Sequence, residues 1–177
     1  ASIAYISARN NATSVDVITA TGGTPADEAA GTVVNSITRA FNSLDDAVDA
    51  TNAGADEAAY LNTADLTALP YQLNIACYAD SIDTTIASVQ GWTTDQFGYI
   101  RIFTPTALTE SGVSQRHNGT WDEGYRLNAR VTVDNAGVWF DGIAIKDSTS
   151  NFTFLIDNIT ALGGDIKVSN CYIHHAS

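Results

Sequence analysis

From Tyr71 onward, apolar and polar side chains alternate with a period of two, the pattern of strands that turn one face toward a core. Tyr71, Leu73, Ile75 and Cys77 alternate with Gln72, Asn74 and Ala76, and Ile100 and Ile102 alternate with Tyr99, Arg101 and Phe103. The longest run sets Tyr125, Leu127, Ala129, Val131 and Val133 against Arg126, Asn128, Arg130 and Thr132. Val138 and Phe140, Ile143 and Ile145, Phe152 to Ile156, and Ile166 and Val168 continue it, which predicts roughly seven short strands. The segments between them, such as Gly91-Trp92-Thr93-Thr94-Asp95, Asp134-Asn135-Ala136-Gly137 and Gly163-Gly164-Asp165, carry turn chemistry.

One stretch follows a different period. Ser43-Leu44-Asp45-Asp46 has the form of a capping box, and Phe41, Leu44, Ala47 and Val48 recur at helical intervals, so a helix is predicted at about 43–52, ended by Asn52-Ala53-Gly54. Asp45 and Asp46 at its start suit the macrodipole without invoking a metal. Residues 1–40 hold two short apolar runs (Ile3, Tyr5, Ile6 and Val15, Val17, Ile18), then Thr21-Gly22-Gly23-Thr24-Pro25 and the small-residue stretch Ala26 to Gly31. This reads as an extended N-terminal arm for docking or oligomerisation, attached to a body at 41–177.

Many short strands and a single helix suit either an antiparallel sandwich or a solenoid. The blocks Val138-Trp139-Phe140-Asp141-Gly142-Ile143-Ala144-Ile145 and Ile166-Lys167-Val168-Ser169-Asn170-Cys171-Tyr172-Ile173 each divide two apolar runs by one bend, and the second starts 28 residues after the first. That favours a chain stacking its inward residues in register.

Composition narrows the roles. Twenty Asp and Glu against eight Lys and Arg give a net charge of -12 over 177 residues, which disfavours nucleic acid. No apolar run approaches the ~18 residues of a membrane helix, so no membrane partner is expected. The 45% hydrophobic content is that of a folded chain. There is no Met, so Ala1 follows either a removed initiator or a cleaved leader. Cys77 and Cys171 sit in alternating apolar runs and read as small core residues.

The helix at Phe41 to Thr51, the Gly-Ile-Ala-Ile bend at 142–145 and the Val-Ser-Asn-Cys-Tyr-Ile-His block at 168–174 resemble right-handed parallel β-helix proteins of the pectin-lyase-like class. Gly91-Trp92-Thr93-Thr94 and Gln115-Arg116-His117-Asn118-Gly119 resemble β-helix proteins of environmental bacteria and phages. The resemblance implies an all-β right-handed parallel β-helix with an N-terminal capping helix, and an Asn170 that ladders with a counterpart one coil away. In such a fold the end at Ser177 needs a cover, either more polypeptide or another subunit.

Several groups are candidates for chemistry. Trp121 and Tyr125, beside Asp122 and Glu123, are the candidate carbohydrate-binding pair, within an aromatic set that includes Trp92 and Trp139. Adjacent acids diverge in direction, so Asp122 and Glu123 read as a solvated loop rather than a hydrolytic pair. Arg126 and Arg130, near Arg101 if strands stack, with Asp141, Asp147 and Asp157, are what a lyase-like base and Ca²⁺ site would draw on. No cofactor is called for, with Ca²⁺ left open. His117 and His174-His175 lack zinc-ligand spacing. Four Asn-x-Ser/Thr sites occur, at Asn11, Asn118, Asn151 and Asn158. The expected role is a virion or extracellular surface structural protein, such as a phage decoration, fibre or spike module. It would be a homo-oligomer on a capsid, tail or surface scaffold, in contact with polysaccharide. The alternative is a secreted polysaccharide lyase or hydrolase.

Overall fold

The computed structural model describes residues 4–11, 14–19, 23–26, 39–51, 63–68, 72–149, 151–157 and 164–175. The helix-ending Asn52-Ala53-Gly54, most of the small-residue stretch, Tyr71 and the glycosylation acceptor Asn158 lie outside them. Strands β1 (Tyr5–Asn11) and β2 (Ser14–Ile18) pair antiparallel, with Ile6 opposite Val17. The expected extended arm is thus in part a hairpin, and β1 runs against a second short helix further along the chain.

The remaining strands form three parallel sheets. The first joins β3 (Gln72–Ala76), β6 (Tyr99–Phe103), β9 (Val138–Asp141) and β12 (Ile166–Ser169). The second joins β4 (Ile82–Asp83), β7 (Arg126–Leu127), β10 (Ala144–Asp147) and β13 (Tyr172–His175). The third joins β5 (Ala87–Val89), β8 (Val131–Val133) and β11 (Phe154–Ile156). Helix α1 spans Leu44–Val48 and α2 spans Leu108–Ser111.

This corrects the expected fold class. In place of an all-β right-handed parallel β-helix with a capping helix and an extended arm, the described residues show three distinct parallel sheets of three or four strands, two short helices and an antiparallel hairpin. Parallel pairing on this scale is otherwise the habit of α/β proteins. The physical reason for the miss is that a period of two tells which side chains face inward and is silent on how strands close into sheets. The run from Tyr125 to Val133, expected as one strand, breaks into β7 and β8 in two different sheets.

Inward residues stack strand upon strand. Leu73, Ile100, Val138 and Ile166 form one column and Ile75, Ile102, Phe140 and Val168 the next, the last pairing carrying the 28-residue offset between Ile166 and Val138. Phe140 also meets Phe154 edge to face, with ring centroids 5.1 Å apart. Gly142 (φ 85°) makes the bend between β9 and β10, and Asn170 (φ 52°) makes it one layer on. A side chain at Gly142 would collide with Arg116 and Thr104, so only glycine fits both the space and the backbone there. Its counterpart in the preceding layer having no side chain, Asn170 donates to Asp141, at 2.8 Å.

Helix α1 is shorter than expected. Ser43 caps it as its sequence implies, its hydroxyl accepting from the Asp46 amide at 3.1 Å. Asp49 then leaves the helix to bridge Gln90 in parallel, which ends it five residues in. Leu44, Ala47 and Val48 are buried in the core. The helix is fastened by a buried carboxylate: Asp83 accepts from the Leu44 amide at 2.7 Å and from the Tyr125 hydroxyl at 3.0 Å. Trp92 is buried beneath it, its indole donating to the Val48 carbonyl at 2.8 Å. At the opposite end of the sheets, on the outermost strands β11, β12 and β13, Ile156, Val168 and Ile173 remain 49%, 44% and 43% exposed.

Candidate functional site

The outward positions of the first sheet gather the groups that can bind a ligand. Burial alternates along β6 and β9, so Tyr99, Arg101 and Phe103, and Trp139 and Asp141, stand on the outer face while their neighbours fill the core. Tyr99, Arg101, Trp139 and Asp141, with Gln72, Asn74, Lys167 and Ser169, line an open cleft of about 410 Å³. Register places Arg101, Trp139 and Lys167 side by side across three strands.

The rings are held. Tyr99 and Trp139 stack with centroids 3.9 Å apart and planes 22° from parallel. The Lys167 ammonium stands 3.7 Å from the Trp139 centroid, reaching it from the other side because β6 and β12 flank β9. Arg101 lies over the Phe103 ring at 4.4 Å. Asp141 is the polar hub: it pairs with Arg101 at 3.1 Å and Arg116 at 2.8 Å and accepts from Asn170 and Ser169. Partial burial pushes its carboxyl toward neutrality, but the bonds from Asn170 and Arg101 and the charges of Arg116 and Arg101 outweigh this. The net effect holds it below the usual carboxylate range. A carboxylate so committed is ionised at neutral pH and a poor proton donor.

The expected pair is not brought together. Trp121 is half-buried in the loop before β7, its ring 6.4 Å from that of Tyr172 and 5.7 Å from the Lys146 ammonium. Tyr125 is only 7% exposed, with its hydroxyl spent on Asp83, and burial foremost raises its pKa. Tyr125 is therefore corrected from a carbohydrate contact to a core residue, and the aromatic neighbour of Trp121 is Tyr172. Its sequence phase carried the signal, since Tyr125 alternates with the inward Leu127 and Val131. By the same rule Trp139 and Tyr99, out of phase with Val138 and Ile100, were legible as outward rings.

Other candidates are scattered. Arg101 belongs to the first sheet and Arg126 to the second, while Arg130 follows the end of β7 and lies over Phe152 at 5.7 Å, so they share no face. Asp147 is buried and accepts from Thr149. Asp122 and Glu123 are exposed. The His117 Nδ1 accepts from the Gly119 amide at 3.0 Å and the His117 ring meets Tyr172, which gives this residue a local structural role. Among the described residues no group of three or more His, Cys, Asp or Glu could hold a metal ion, and no helix is long and apolar enough to cross a membrane.

Comparison with protein-family models, with curated proteins and with solved structures finds no match for this chain.

Proposed function

We propose that this chain is a noncatalytic structural protein of a virion or extracellular surface that contacts glycans through the outer face of its first sheet. The observation that supports the reading is the open cleft in which the Tyr99 and Trp139 rings are surrounded by hydrogen-bonding side chains, Gln72, Asn74, Arg101, Asp141 and Ser169. Aromatic rings offer sugars an apolar platform and the amides and charged groups offer partners for hydroxyls, the usual composition of small-ligand sites. The lyase or hydrolase alternative gains nothing here, because Asp141 is engaged with two arginines and Asp147 is buried. The exposed apolar side chains of β11, β12 and β13 support a place in a larger assembly.

A glycan array tests the reading. The wild-type chain should retain a subset of glycans, and Trp139→Ala should abolish that retention while Trp121→Ala leaves it in place. Retention unaffected by Trp139→Ala, or turnover of any polysaccharide offered, would rule it out.

A further inference from the structure

The glycan reading above leaves open which sugars the cleft takes, and the inference that follows rests on that reading. The chain carries twenty acidic and eight basic side chains, yet among the described residues that line this cleft Arg101 and Lys167 stand with one acid, Asp141, which Arg116 also pairs with. With Asp165 two residues before Lys167 counted as well, three cations stand against two anions, a local reversal of the charge balance on a protein of net charge -12. Arg101 and Arg116 are neutralised in part by Asp141, whereas among the described residues the partner shown for the Lys167 ammonium is the Trp139 ring, at 3.7 Å. Lys167 therefore stands where a sugar would stack. It is exposed and on the outermost strand of its sheet, so it can swing aside at little cost.

We propose that Lys167 is the specificity-determining residue of the cleft, favouring sugars that carry a carboxylate or sulfate over neutral ones. A neutral ring must displace the ammonium from Trp139 and gains nothing in return. An anionic ring that displaces it keeps it as a counterion, with Arg101 near. The discrimination is thus a difference between two losses, not a separate pocket.

The test measures binding of an oligomannuronate and of a neutral cello-oligosaccharide of equal length to the intact chain, by calorimetry at low and high salt. The wild-type chain should favour the mannuronate, and high salt should erode that preference. Lys167→Ala should weaken the acidic ligand and strengthen the neutral one, each roughly two- to fivefold, the range of an exposed cation–π contact or surface ion pair. Lys167→Arg should retain the preference. Equal preference in Lys167→Ala and wild type, or a wild-type preference for the neutral sugar, overturns the role of Lys167 and leaves glycan binding standing. Failure of both sugars to bind, with a glycan array that is blank for wild type, removes the glycan reading and this inference together.

Discussion

The two ends of the parallel sheets are finished in opposite ways. At the β3–β5 end, α1 lays Leu44, Ala47 and Val48 over the core, and one buried carboxylate, Asp83, fastens helix to sheet. At the β11–β13 end, Ile156, Val168 and Ile173 occupy inward positions with no helix over them among the described residues and remain nearly half exposed. The contrast separates two demands on a layered protein. A sealed end stores stability in a few specific polar contacts, while an open end leaves apolar surface for a neighbour at little cost to the fold.

The largest effect should come from the sealed end. Asp83→Ala leaves the Leu44 amide and the Tyr125 hydroxyl without their acceptor and should lower unfolding free energy by about 2–3 kcal/mol, read by denaturant melts. Tyr125→Phe, removing one of those bonds, should lower it by only about 1 kcal/mol. Equal losses would mean that the carboxylate does not fasten the helix. Next to β12, Gly142→Ala should cost at least ~1–2 kcal/mol from its left-handed backbone alone. A neutral result there would show that the layer next to the open end is loose.

Acid should come next in size. The carboxyl of Asp141 is held below its ordinary value, so its contribution is whole above the unfolded carboxylate pKa of about 3.9 and is lost as pH falls through the lower folded value. Asp141→Asn should flatten stability over that acid range, and an unchanged acid profile would break the account of this hub. At the open end Val168→Asp should alter stability by about 0.5 kcal/mol or less while reducing any self-association seen by mass photometry. A loss as large as that of Asp83→Ala would mean that this end is closed in solution. The smallest effect is chemical. Cys77 is buried and its thiol pushed up by burial and then by Asp83, so a thiol reagent at neutral pH should label the half-buried Cys171 first.

What the chain disclosed beforehand was phase. The inward sets Leu73 and Ile75, Ile100 and Ile102, and Val138 and Phe140 were readable, as was the Ser43 cap, because each depends on side chains near in sequence. Sheet closure was not readable, since which strand pairs with which depends on register between segments 18 to 44 residues apart, such as Ala144 with Arg126 and Ile82 with Arg126. The site suffered for the same reason. Arg116, in a loop, meets Asp141 beside the bend at Gly142, and nothing local announces that meeting. The choice of Tyr125 set aside a phase that already placed it inside.

Ala144 stands on the outer side of the second sheet, in register between Arg126 and Tyr172, and yet has no exposed surface. The segment carrying His117 and Trp121, whose rings both lean on Tyr172, comes to rest across that stretch of sheet. Enlarging that methyl to valine would add bulk beside Tyr172, the ring on which both His117 and Trp121 rest, and so act on the seating of the segment from the outer side of the sheet.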